Sequence, residues 1–182
     1  MFSNRRFALP LLAALVLAVA FGIAACGYES HETEVAEGEP VELGELQYNV
    51  TFSRYLNPND TEDSAFLVGQ PPPPDGSTYF GVFFEVQNES SEPQTLPDEV
   101  FITDADGETY DFIPSESLYA LELGGEVEPE EQVPVLDSTA QLGAIEGALV
   151  VFLLPEAASE NRPLILHIPG PGDEGAEVTL DL

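Results

Sequence analysis

The 182-residue chain has no lysine; its basic residues are Arg5, Arg6, Arg54 and Arg162, set against 34 acidic ones for a net charge of −30. Binding to a nucleic-acid backbone rests on Lys and Arg neutralising phosphates, so that class of partner is excluded. A chain this acidic is also repelled by anionic lipid. There is no tryptophan to stack a sugar, and the one methionine is Met1. With a single cysteine, Cys26, no internal disulfide can form. Only two histidines occur, His31 and His167. Nucleophilic catalysis needs a base beside Ser, Thr or Cys, and two histidines so far apart in sequence offer no metal-ligand spacing. No enzymatic activity and no cofactor are expected.

The long apolar run lies at the N-terminus. Arg5 and Arg6 precede a stretch from Phe7 to about Ala25 that ends in Ile23-Ala24-Ala25-Cys26. A positive start, an apolar middle and small residues at the end form the layout of an export signal. Its 19 residues are also long enough to span a bilayer, so length alone leaves an uncleaved anchor open. The cysteine decides, because a spanning helix has no need of the sole thiol at its outer edge. Ile23-Ala24-Ala25-Cys26 resembles the bacterial lipobox, which implies cleavage between Ala25 and Cys26 and a diacylglyceryl group on the Cys26 thiol. Arg5-Arg6-Phe7-Ala8-Leu9 also resembles a twin-arginine signal, so the general and twin-arginine export routes both stay open. Removal of residues 1–25 leaves two arginines against all 34 acids, a charge of −32.

Three regions follow: a signal peptide over 1–25, a lipidated N-terminus and acidic linker over 26–45, and a folded domain over 46–182. The linker assignment rests on Glu29, Glu32, Glu34, Glu37, Glu39 and Glu42 among few large apolar side chains. As a flexible chain, residues 27–44 would span about 23 Å. Beyond them the period is that of strands. Leu46, Tyr48, Val50 and Phe52 alternate with polar residues, and Phe80, Val82, Phe84 and Val86 alternate with Tyr79, Gly81, Phe83 and Glu85. Shorter strands are predicted at 100–103, 109–113, 132–136, 164–168 and 178–180. The apolar run Gly147 to Leu154 predicts a strand covered on both faces. Pro58 and Pro71-Pro72-Pro73-Pro74 keep residues 57–77 out of any ladder. The pattern predicts an all-β, immunoglobulin-like antiparallel β-sandwich of about seven to nine strands.

Three segments carry a further likeness: Glu85-Val86-Gln87-Asn88-Glu89-Ser90, Ile102-Thr103-Asp104-Ala105-Asp106-Gly107-Glu108-Thr109-Tyr110, and Gly147-Ala148-Leu149-Val150-Val151-Phe152-Leu153-Leu154-Pro155. With the lipobox, they resemble the immunoglobulin-like lipoprotein domains of actinobacteria and firmicutes, a sandwich similar to that of a secreted mycobacterial immunogenic protein. The resemblance implies a non-catalytic extracellular domain and carries no active-site residue across.

Candidate sites are few. Asp104-Ala105-Asp106-Gly107-Glu108 begins like a calcium loop, but Ser115 stands where an EF-hand requires its last glutamate. Asp104 and Asp106 are therefore expected to form a hairpin turn. His167 is expected at a strand rim. Pro71, Pro72, Pro73 and Pro74 form the candidate binding loop, because a long loop on a rigid sandwich often carries function. The expected protein is anchored in the cell membrane through Cys26, on its extracytoplasmic face, and binds an envelope protein or glycan. The alternative is a domain responsive to calcium or magnesium through its acidic loops.

Overall fold

The computed structural model describes residues 31–181. Twelve strands are present: β1 (His31–Ala36), β2 (Val41–Leu43), β3 (Leu46–Leu56), β4 (Ser77–Asn88), β5 (Gln94–Thr95), β6 (Phe101–Thr103), β7 (Thr109–Ile113), β8 (Glu126–Val127), β9 (Gln132–Val133), β10 (Ala148–Pro155), β11 (Ile165–Pro169) and β12 (Glu174–Thr179). One short helix, α1 (Thr61–Phe66), and a 3-10 turn at Glu156–Ser159 complete the elements. The order β1-β12-β11-β6-β7-β10-β4-β3-β2 runs continuously through a sheet that folds over on itself. The fold occurs at β7, whose first residues pair with β6 while Phe112 and Ile113 pair with β10. The result is a β-sandwich: β1, β12, β11 and β6 form one layer, and β10, β4, β3 and β2 the other. All the ladders are antiparallel except that of β1 with β12.

The core between the layers is set by alternation. Phe80, Val82, Phe84 and Val86 of β4, with Val150, Phe152 and Leu154 of β10, meet Ile102, Leu166, Ile168 and Val178 from the other layer. The opposite faces of β4 and β10 are buried as well, through Tyr79, Phe83, Leu149 and Val151. The cover over them is the segment after β3. Asp60 caps α1 by accepting from the Glu62 and Asp63 backbone N–H groups, and Asp63 is held by Arg54 of β3 and by the Asn57 N–H. This seats Phe66, only 2% exposed, edge-on against Phe83 at 5.2 Å and Tyr119 at 4.8 Å. The segment at 57–76 is thus partly a lid, which is why β10 can be apolar on both sides.

Two sequence expectations are corrected. Residues 31–45, read as linker, are part of the domain. Thr33 and Val35 of β1 stand opposite Ala176 and Val178, and Val41 and Leu43 of β2 are buried against β3. The glutamates that suggested a solvated tether, Glu32, Glu34 and Glu42, occupy the alternate positions and point to water, so the charge count hid a period of two. Phe52, placed by alternation on the buried face, is 42% exposed. A bulge at Thr51 inserts one residue between the pairs Val50–Phe84 and Phe52–Phe83 and turns the rest of β3 over. The Thr51 hydroxyl donates to the carbonyls of Phe83 and Glu146, which fixes the bulge.

Candidate functional site

Strand direction gives the sandwich two distinct ends. At one, the β2–β3 turn meets the β11–β12 turn: the Gly44 N–H donates to the Glu174 carboxylate at 3.2 Å. A Cβ on Gly44 would lie 2.7 Å from Pro171 Cγ, so only glycine permits this approach. An open groove of about 530 Å³ lies here, lined by residues that include Leu43, Leu46, Tyr48, Asp98, Glu99 and Pro171. His31, the first residue of β1, pairs with Glu174 and so also belongs to this end. Tyr48 forms part of the floor, and burial raises the pKa of its phenol far above the ordinary value.

At the other end lie the close of β3, the start of β4 and the turn between β6 and β7. The proline run is pinned here on either side. The Gln70 amide donates to the Pro114 carbonyl at 2.6 Å, the Tyr79 hydroxyl donates to the Pro71 carbonyl at 2.6 Å, and the Ser77 N–H donates to Pro74. Pro71, Pro72 and Pro74 are exposed and Pro73 half-buried. The loop therefore shows water a fixed apolar surface. The Glu156 N–H, bonded to the Gly76 carbonyl, ties it to the 3-10 turn.

Asp104 belongs to the same end. Its carboxylate is buried and accepts from the N–H groups of Asp106 and Glu108, from the Tyr110 hydroxyl at 2.9 Å and from the Asn161 amide at 3.4 Å. Burial pushes the carboxyl up, but these donors together outweigh it and hold it below the ordinary carboxylate value. The Tyr110 hydroxyl is pushed up to about 12, first by burial and then by the Asp104 carboxylate beside it. Asp104, Asp106 and Gly107, whose φ is +83°, form the hairpin turn expected of that motif, with the Asp104 oxygens engaged by the protein itself.

His167 is less bare than a rim residue. Its ring stacks on Phe101 at 4.5 Å, its Nε2 lies 2.8 Å from the Thr103 hydroxyl, and Nδ1 faces the Glu177 carboxylate at 3.6 Å. The sheet thus brings together His167 of β11, Glu177 of β12 and Glu32 of β1, which lie far apart along the sequence. No sequence spacing marks them, because they become neighbours only through the β1–β12 pairing, the part of the fold that the linker assignment missed. Ala25 and Cys26 lie outside the described residues. Among the described residues, no helix is long and apolar enough to cross a membrane.

No protein-family model and no curated protein matches the chain. Solved structures do share its fold. An uncharacterised β-sandwich protein from Clostridium difficile superposes with a TM-score of 0.53 at 14% identity, over 84% of this chain and 97% of that one. The yjhA protein of Bacillus subtilis gives 0.53 at 13% identity, over 80% and 99%. A candidate lipoprotein of Bacillus subtilis, ycdA, gives 0.51 at 11% identity, covering 81% of this chain and 39% of its own. These likenesses establish the β-sandwich fold.

Proposed function

We propose that the chain is a lipid-anchored, non-catalytic domain on the extracytoplasmic face of a bacterial membrane, and that it offers the Pro71–Pro74 end of its sandwich to an envelope protein or glycan. The observation that carries this reading is the spacing between Cys26 and β1. Five residue steps separate the thiol from His31, so the chain can reach at most about 18 Å from the anchor to the sheet. His31 lies at the groove end. Anchorage at Cys26 thus holds that end near the lipid and turns the prolines away from it.

Charge supports a covalent anchor. At −32 the mature chain has no basic patch for anionic headgroups, with Arg54 engaged by Asp63 and Glu62. A single fatty chain gives marginal membrane binding, whereas a diacylglyceryl group supplies two. The fold's occurrence in a candidate lipoprotein is consistent with this. The exposed prolines need little ordering on binding, which favours them as a contact surface for an extended or stacked partner.

Fractionation of cells expressing Cys26→Ser tests the anchor. The variant should leave the membrane fraction with its far-ultraviolet circular dichroism unchanged. Retention in the membrane would contradict the reading and point to an uncleaved N-terminal helix.

A further inference from the structure

On the outer face of the first layer, one ligand atom from each of Glu32, His167 and Glu177 lies within 4.8 Å of the other two. We propose that these three residues form a binding site for a divalent transition-metal ion of the zinc type. The site does not depend on membrane anchorage or on the proline loop.

The imidazole is positioned for ligation. Stacking on Phe101 fixes the plane of the ring, and Thr103 fixes its Nε2 edge. When Nε2–H donates to the Thr103 hydroxyl, Nδ1 carries the lone pair and faces the Glu177 oxygen, another electron pair, at 3.6 Å. When instead the hydroxyl donates to Nε2, an Nδ1–H at that distance is too far from Glu177 for a hydrogen bond. In neither neutral tautomer does the protein satisfy Nδ1; only the protonated ring pairs with Glu177. A metal ion satisfies it: Zn–N and Zn–O bonds are about 2.0–2.2 Å, and two of them at a near-tetrahedral angle separate N from O by about 3.3–3.6 Å. Thr103 then orients the ligating histidine by holding its other nitrogen.

The charges point the same way. Glu34 stands opposite Glu177 on the neighbouring strand, so the two ligating carboxylates have a third beside them. Among the described residues neither Glu32 nor Glu177 forms an ion pair with an arginine. A dication relieves this repulsion, and because its ligands come from β1, β11 and β12 it also clasps β1 to the sheet. Imidazole among the ligands selects zinc and its neighbours over calcium, which takes six to eight oxygens. Three protein ligands leave a coordination position for water.

The test is calorimetric titration of the full chain with zinc chloride at physiological ionic strength, together with nitrogen NMR of the labelled histidines. One saturable site is expected, with affinity falling more than tenfold in Glu177→Gln, a replacement of equal shape at a half-exposed position. Thr103→Val should weaken binding by about tenfold. In the unaltered protein, the first equivalent of zinc should shift Nδ1 of His167, a readout that needs no variant to fold. Absence of a saturable site, an unmoved His167 resonance, or unchanged affinity in Glu177→Gln would each overturn the proposal, the last two assigning zinc to other surface carboxylates.

Discussion

Asp104 shows how one side chain can read as a ligand in sequence and act as a turn residue in the fold. Asp-x-Asp-Gly is common to calcium loops and tight hairpins, and the two differ in where the carboxylate's electron pairs go. Here four donors take them, two from the turn's own backbone and two from Tyr110 and Asn161. Because the folded-state pKa lies below the unfolded value of about 3.8, the carboxylate contributes stability above that value. The contribution is lost as pH falls from there through the folded pKa. Asp104→Asn keeps the shape and removes the titration. The difference in stability between the two proteins, followed by urea denaturation, should be largest near neutral pH and shrink progressively in acid. Tyr110 provides a second check, since its hydroxyl, pushed up to about 12, should titrate closer to its ordinary value of 10.0 in Asp104→Asn. The shift will be partial, because burial remains. The turn was legible in the motif; the donors from Tyr110 and Asn161 were not, since nothing local brings Asn161 near residue 104.

At the level of elements, the sequence was most legible where apolar residues alternate over many positions. β4 and β10 announce themselves, and the absence of polar alternation in β10 correctly foretells cover on both faces. What covers it was not legible. α1 has six residues, too few for a helical period to show, and its place depends on tertiary contacts: the Arg54–Asp63 pair and the wedge of Phe66 between Phe83 and Tyr119. Phe66→Ala should therefore destabilise the protein by about 3–5 kcal/mol, as expected of a fully buried phenylalanine, measured by urea denaturation. A cost below about 1 kcal/mol would mean that the lid is not part of the cooperative unit. β1 and β2 were hidden for a different reason. Alternation was present in Glu32-Thr33-Glu34-Val35 and in Val41-Glu42-Leu43, but the apolar members are few and the glutamates dominate any count of composition. β1 gains its stability from β12, a partner more than 140 residues away in sequence. The bulge at Thr51 was equally invisible, because a hydroxyl that caps two carbonyls has no sequence period.

For the whole molecule, moving residues 31–45 from linker to domain changes the geometry of presentation. An 18-residue flexible tether would let the sandwich sample all orientations about 23 Å from the bilayer. With the proposed anchor at Cys26, entry into β1 at His31 instead ties one end of the sandwich to within about 18 Å of the lipid. The opposite end, with Pro71–Pro74 and the Asp104 turn, then lies farther out by the length of the longest strands, on the order of 30 Å. The excess of acid contributes a surface that avoids anionic headgroups, so that in the proposed lipidated form the covalent group and the short connection would set orientation.

Energy transfer to the bilayer tests this arrangement most directly. A fluorophore would be placed at Pro171→Cys or at Pro72→Cys in the lipidated full chain, reconstituted into vesicles that carry acceptor lipids. The account predicts strong quenching at position 171 and much weaker quenching at position 72, with both lost in the Cys26→Ser background. Equal quenching at the two positions, or the reverse order, would contradict it.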